Sequence, residues 1–325
     1  MSQSGPADAL AAVLIEAFAN GPCAGNGAAV VLLEQPQPGP WMQAVAGSLR
    51  QSETAFLLPW DDTWLLRWFT PRCEVPLCGH ATLAALLALG HWGRLAAGAP
   101  IRFQTRSGPL EVELEDTHPR RGRMQLPGGG LRCGPVPVPL QDLLHRHLGL
   151  AAESFWSSEL GYAVALLPAE APLPTLGNLA PELPPALRGG LVLMQGMPSP
   201  RQGETPPHLD GELADYQLRF YAPGLGIDED PVTGSAHALV APYWMERLKR
   251  SRVVGWQCSD RPGGMVCEAG SSGMIRLTGC GHLLWDGTLR AQPPNGAGAC
   301  VGASASALSA WQHWLDLDSA AFFPA

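Results

Sequence analysis

The sequence predicts an α+β protein built from a duplicated unit, on three observations. The first is an internal echo. Upstream the chain reads Arg67-Trp68-Phe69-Thr70-Pro71, then Glu74-Val75-Pro76-Leu77-Cys78-Gly79-His80-Ala81. Downstream it reads Arg219-Phe220-Tyr221-Ala222-Pro223, then Glu229-Asp230-Pro231-Val232-Thr233-Gly234-Ser235-Ala236. From Arg67 to Arg219 the offset is 152 residues, and from Glu74 to Glu229 it is 155, so one copy carries a three-residue insertion. Copies this far apart indicate duplication, because a solenoid repeats every roughly 20–50 residues. The second observation is that each echo leads into an apolar segment, Gly79–Leu89 and Ala238–Trp244, of the kind that forms a buried helix. The third is a series of short apolar or alternating runs, bounded by Gly and Pro, that read as strands.

Taken in order, Val13–Phe18 and Ala28–Leu33 read as strands around a Gly-rich mouth, Gly21–Gly27, which lacks the strand–GxGxxG–helix context of a dinucleotide site. Trp41–Leu49 has helical spacing, with apolar residues at 41, 42, 45, 46 and 49. Ala55–Leu58 and Trp64–Phe69 are strands, which leaves Glu53 on a helix-to-strand connection beside apolar residues. Such a residue is either a surface glutamate or a carboxylate at a partly buried mouth, where burial raises its pKa and suits it to proton transfer. Gly79–Leu89 is expected to stop at Gly90. Ile101–Thr105 and Leu110–Glu115 form a hairpin about Ser107-Gly108, and Arg123–Leu126 is a further strand.

Pro127–Pro139 is the expected linker. It sets an N-terminal domain over 1–126, a C-terminal domain over 127–290 and an extension over 291–325, with part of 286–325 available to complete the first domain. The second half offers a helix at Gln141–Leu148 and strands at Tyr162–Leu167, Leu191–Met194 and Gln217–Tyr221. Residues 196–213 read as a polar loop, and Pro242 is expected to kink the second apolar helix. Met265–Glu268 and Met274–Leu277 form a late hairpin, and His282–Trp285 and Leu289 carry the last strand signals. Leu308, Trp311 and Leu315 suggest a terminal helix that packs.

Composition narrows the function classes. Of 325 residues, 46% are hydrophobic and 15% charged, enough for a sizeable core. The net charge is −8 and the one lysine is Lys249, so nucleic acid is excluded as an expected partner. None of the eight cysteines forms a C-x-x-C, which points to reduced thiols in a cytoplasmic protein. No basic residue precedes Arg50 and Glu16 interrupts the first apolar run, so no signal peptide is expected. No apolar stretch approaches the roughly 20 residues needed to span a bilayer, so no membrane partner is expected either. Cys78 and His80 together supply too few ligands for zinc, and no metal is expected. Thr233-Gly234-Ser235-Ala236-His237 is not the G-x-S-x-G elbow of a hydrolase.

The two echo loops resemble the paired signatures of the phenazine-biosynthesis PhzF-like isomerases: Phe69–Thr82 is similar to the first and Glu229–His237 to the second. Ser52-Glu53-Thr54-Ala55-Phe56 resembles the segment carrying that family's catalytic glutamate. Gln257-Cys258-Ser259-Asp260-Arg261, Gly263-Gly264 and Gly287-Thr288-Leu289 resemble its C-terminal part. The similarity spans roughly residues 13–290. It departs in Gly25-Asn26-Gly27-Ala28, where the family usually has Pro after Asn, at the inserted Pro262, and in the tail, which is left to make a homodimer contact or cover a domain.

This resemblance implies the diaminopimelate-epimerase-like fold. There, two pseudo-symmetric domains each wrap a mixed, barrel-like sheet around a central apolar helix, with the active site in the interdomain cleft. It implies Glu53 as general acid/base, and His80, Asp230 and Ser235 as the groups that hold and polarise the substrate. Cys78, Gly79, Ala81, Thr233, Gly234 and Asn26 are the expected substrate-binding residues, with a carboxylate received by backbone N–H groups at both helix starts. Racemases of this fold use one thiol from each half. Cys78 resembles the first, and Pro231 is expected in the second slot, where it has no proton to exchange. A single base then shifts a proton along a small unsaturated amino or hydroxy acid without a cofactor. The alternatives are a non-catalytic small-acid binding protein and a cysteine-dependent racemase.

Overall fold

The computed structural model of the chain describes residues 9–117, 120–200, 205–291 and 311. The first half runs β1 (Leu10–Ala17), β2 (Asn26–Leu32), α1 (Gly39–Leu49), β3 (Glu53–Trp60), β4 (Thr63–Phe69), β5 (Glu74–Val75), α2 (Gly79–His91), β6 (Pro100–Thr105), β7 (Gly108–Thr117) and β8 (Arg120–Pro127). The second half adds β9 (Leu131–Gly134), α3 (Val138–Leu148), β10 (Ser154–Ser158), β11 (Ala163–Leu166), β12 (Leu191–Gly196) and the short pair β13 (His208–Leu209) and β14 (Glu212–Leu213). It closes with β15 (Tyr216–Ala222), β16 (Ile227–Asp230), α4 (Gly234–Leu248), β17 (Arg252–Gln257), β18 (Gly263–Ala269) and β19 (Met274–Leu289). The chain divides into two compact units, one of residues 1–17, 27–124 and 281–325, the other of 18–26 and 125–280.

In the first unit β1 pairs antiparallel with residues 281–289 of β19, and β2 runs parallel to β3 with Ala28 opposite Glu53. β3 and β4 are antiparallel, β4 and β6 parallel, and β6, β7 and β8 antiparallel in turn. Helix α2 is the crossover between parallel β4 and β6, and it packs against β1, β3 and β7. Every residue from His80 to Leu89 is buried, as an all-round apolar helix requires. Gly122 on β8 makes room for it, since a Cβ there would stand 2.7 Å from Leu86 and 2.8 Å from Leu83. Helix α1 packs on β3 and β4. Its Trp41, Met42 and Val45 join Phe56, Leu65 and Phe69 in a cluster that also takes Trp311. With neighbours on both faces, β3 is buried at six successive positions.

The second unit repeats the plan. β9, β10 and β11 are antiparallel in turn, β11 and β12 parallel, and β12 and β15 antiparallel. β15 runs parallel to β17, and α4 is the crossover between them. β17 and β18 are antiparallel, as are β18 and residues 275–278 of β19. α4 packs against β17 and β18. Gly255 on β17 is required by this approach, because a Cβ there would sit 2.4 Å from His237 Nδ1 and 2.5 Å from the Tyr216 hydroxyl. The architecture is α+β, with a mixed, barrel-like sheet around an apolar helix in each unit.

Several expectations change in detail. Gly90 does not end α2, which continues to His91. The expected linker contains β9, held in a ladder with β10. The loop 196–213 contains the β13–β14 hairpin. The separate strand signals from Met274 to Leu289 are one strand, β19, and its residues 281–289 belong to the first unit. Leu308 and Leu315 lie outside the described residues. Among those described, no helix is long and apolar enough to cross a membrane.

Candidate functional site

The repeated Arg and Glu of the echoes build the scaffold of each loop. In the first unit Arg67 Nε and Nη2 donate to the two Glu74 carboxylate oxygens, both at 2.8 Å. In the second, Arg219 Nε and Nη2 donate to Glu229 at 2.6 and 2.5 Å. Each guanidinium also stacks on the aromatic two residues along the same strand face, Arg67 on Phe69 and Arg219 on Tyr221, both 5.3 Å from the ring centre. These fork-to-fork pairs fix the segment between strand and helix, and so fix where each apolar helix begins.

In the first unit three buried side chains from two elements meet. Glu53 is the first residue of β3, not part of a connection, and its carboxylate is nearly covered (residue 5% exposed). His80 is the second residue of α2, and Cys78 is the residue before that helix. His80 Nε2 lies 3.0 Å from Glu53 Oε2, and the Cys78 sulfur lies 3.5 Å from His80 Nδ1. Ser52 Oγ donates to the Gly27 carbonyl at 3.0 Å and stands 3.5 Å from His80 Nε2. Burial, then the Glu53 charge, pushes the Cys78 thiol up to about 11 against the opposing pull of His80. For His80 burial is the largest influence and would lower its pKa. Cys78 and Glu53 outweigh it and hold the imidazolium well above the usual histidine range.

The expected ligand-binding residues of this loop are placed unequally. Gly79 opens the helix, where first-turn N–H groups have no intrahelical acceptor. Ala81, with no exposed surface, belongs to the helix's buried face.

In the second unit a separate cluster forms around Asp230 at the end of β16. Asn26 Nδ2 donates to Asp230 Oδ1 at 2.6 Å, and Thr233 Oγ1 donates to Asp230 Oδ2 at 2.5 Å. Gln257 accepts the Thr233 N–H at 2.8 Å through Oε1 and donates to the Asp230 carbonyl at 2.5 Å. Asn26, expected as a ligand contact, is thus spent at least partly on orienting Asp230. Ser235, in the first turn of α4 after Gly234, stands 3.3 Å from the Tyr162 hydroxyl. Gln257 stood only in a segment resembling the family's C-terminal part and Tyr162 only as the start of a strand, and nothing in the sequence tied either to loops more than 20 residues away. His237 belongs to the core. Its Nδ1 meets the Tyr216 hydroxyl at 2.9 Å, and burial lowers its pKa to about 3, which keeps it neutral.

One register expectation is corrected. Cys78 is the residue preceding α2, and the residue preceding α4 is Thr233, not Pro231. The internal offset of 155 gives the same match. The counterpart of the thiol is therefore a hydroxyl already bonded to Asp230, and it too has no thiol proton to exchange.

Residues 15–127 and 195–287 match the family model described as phenazine biosynthesis-like protein. A relative named as an uncharacterized isomerase from Pseudomonas aeruginosa is 34% identical over 276 residues, 85% of this chain and 96% of its own. The human phenazine biosynthesis-like domain-containing protein is 31% identical over 302 residues, covering 86% of this chain and 98% of its own. Among solved structures, a PhzF-family protein from Enterococcus faecalis superimposes with a TM-score of 0.74 at 28% identity, over 86% of this chain and 99% of that one. At the level of fold alone, a hydroxyproline epimerase from Agrobacterium vitis superimposes with a TM-score of 0.54 at 12% identity, covering 91% of this chain and 96% of its own.

Proposed function

The chain belongs to the phenazine biosynthesis-like (PhzC–PhzF) family and is an isomerase, and we propose that it shifts a proton along a small unsaturated amino or hydroxy acid. In this reading Glu53 is the single acid/base. It removes a C–H proton at one carbon and returns it at another, so the double bond moves while atoms and electrons balance. The observation that carries the reading is the buried Glu53–His80 contact of 3.0 Å. A carboxylate fixed by an imidazole at a helix start has one defined direction, which proton delivery to a chosen carbon needs.

His80 orients Glu53 and offers a donor to the oxygen or nitrogen on which charge develops. Asp230 and Ser235 hold polar groups of the substrate; Asn26 and Thr233 fix the Asp230 carboxylate for that task. The helix-start amides at Gly79 and Gly234 are the proposed seats for a carboxylate. A two-thiol racemisation is disfavoured because Cys78 remains a thiol up to about 11 and its counterpart is Thr233.

The test is incubation with candidate unsaturated acids in deuterated water, followed by mass spectrometry. Deuterium is expected to enter a C–H position with the wild type. Glu53→Gln is expected to slow that entry by about 10²–10⁴-fold, the usual worth of a general acid/base. Equal incorporation by both proteins would overturn the role given to Glu53. Tight retention of an acid with no incorporation by the wild type would instead support a binding protein.

A further inference from the structure

The three side chains in the first unit form a donor set that the spacing of the sequence conceals. Cys78 and His80 are two ligands on one loop, and Glu53 joins them from the start of β3. One donor atom from each lies within 4.8 Å of the other two, and all three residues are buried. We propose that Glu53, Cys78 and His80 form a site for a borderline-soft divalent cation, Zn²⁺ or Co²⁺, bound through a carboxylate oxygen, a thiolate and an imidazole nitrogen with the fourth position open.

The three donors are near enough to reach one ion. With Zn–S near 2.3 Å and Zn–N and Zn–O near 2.0 Å, tetrahedral coordination separates S from N by about 3.5 Å and N from O by about 3.3 Å. In the protein, Cys78 Sγ to His80 Nε2 is 3.9 Å and His80 Nε2 to Glu53 Oε2 is 3.0 Å. Because the sulfur lies closer to Nδ1, at 3.5 Å, than to Nε2, joining an ion on Nε2 requires Cys78 to change rotamer, while the Nε2–Oε2 pair needs an adjustment of only about 0.3 Å. The donor chemistry selects the ion. A sulfur and an imidazole favour Zn²⁺ or Co²⁺ over Mg²⁺ and Ca²⁺, which prefer all-oxygen sets. Binding displaces the thiol and imidazolium protons, so it tightens as pH rises. Three protein ligands with one open position is the arrangement of an exchangeable site, not of a closed structural one.

The consequence is inhibition. An ion on the Glu53 carboxylate takes away the lone pair that would accept the substrate proton. That consequence rests on the acid/base reading of Glu53, whereas the binding itself does not.

The experiment uses the full chain, stripped with a chelator and titrated with Co²⁺. The expected result is a near-ultraviolet sulfur-to-cobalt charge-transfer band together with the intense visible absorption of four-coordinate cobalt, both abolished by one equivalent of Zn²⁺. Cys78→Ser is expected to lose the charge-transfer band. Cys23→Ser with Cys133→Ser, both exposed positions, is expected to keep it. Glu53→Gln is expected to weaken binding by more than the roughly 10–100-fold typical of a lost outer-shell partner. No charge-transfer band in the wild type, or an unchanged band in Cys78→Ser, would overturn the site. Should Cys78→Ser fail to fold, the wild type decides alone. Zn²⁺ must then shield Cys78 from alkylation, read by peptide mass spectrometry, and equal labelling with and without Zn²⁺ refutes the proposal. Zn²⁺ binding at Cys78 with no effect on deuterium incorporation would leave the site standing and count against Glu53 as the acid/base.

Discussion

Glu229→Gln removes one charge and almost no volume, and it should expose how much the echo loops depend on their ion pairs. Arg219 is the more deeply buried partner, with a side chain 3% exposed against 14% for Glu229. Two of its nitrogens donate to the carboxylate, and Nη1 donates to the Leu176 carbonyl. The amide of a glutamine can accept one of the two carboxylate bonds. Its NH₂ group then faces a guanidinium N–H, donor against donor. Breaking one partner of a fully buried pair costs about 3–5 kcal/mol, and the partial exposure of Glu229 lowers the expectation to about 2–4 kcal/mol. For a domain of 150–250 residues, each kcal/mol moves Tm by about 2–4 °C, so the melt should fall by roughly 5–15 °C. Thermal unfolding followed by circular dichroism, with Glu159→Gln as control, measures it. Arg132 and Glu159 are 75% and 56% exposed, and their separation should leave Tm unchanged within error. Adding Arg219→Met to Glu229→Gln should recover part of the loss, because the isolated charge disappears. If Glu229→Gln melts with the control, or the second substitution recovers nothing, the pair does not position the loop as argued.

Cys78→Ala should slow deuterium incorporation far less than Glu53→Gln, since the thiol is not the proposed base; equal losses would restore a thiol mechanism. His237 should make the second unit sensitive to acid. Its folded pKa, about 3, lies below the unfolded value near 6.5, so the neutral form's contribution is complete above 6.5 and is lost as pH falls toward 3. Urea midpoints should therefore drop between pH 6 and pH 4 more steeply in the wild type than in His237→Gln, and parallel curves would refute this.

Much of this fold was readable because duplication writes the same instructions twice. The echoes, the apolar helices behind them and most strand cores stood in the sequence as periodicity and repetition. What the echoes are for was less legible. Arg67 and Glu74 are seven residues apart and Arg219 and Glu229 ten, so the shared pair hides behind unequal spacing. The structure locates the difference. The second copy makes an extra turn at Pro223–Leu225, closed by Gly226 at φ 85°, before the glutamate arrives. β9 and the β13–β14 hairpin were missed for another reason. β9 lies in Gly- and Pro-rich text and is made a strand by its ladder with β10, while β13 and β14 are two-residue strands in polar text that pair only with each other, too short to show periodicity.

The candidate site divides along the same line. Glu53, His80 and Asp230 were named from residue type and motif, but their partners are set by topology. Parallel pairing puts Ala28 opposite Glu53, and α2, as the crossover from β4 to β6, brings His80 to the Glu53 carboxylate. Because α4 makes the equivalent crossover from β15 to β17, the two helix starts are equivalent positions holding different chemistry. One carries Cys78 and His80, the other Thr233 and Ser235. Duplication preserved the Arg–Glu pair, the apolar helix and the glycine at its start, which the fold needs in both units. It did not preserve the side chains beside that glycine. An enzyme that worked both faces of one carbon would have reason to keep a matched pair there. The one-base reading proposed above requires no matched pair of thiols, so it is compatible with Cys78 in one copy and Thr233 in the other.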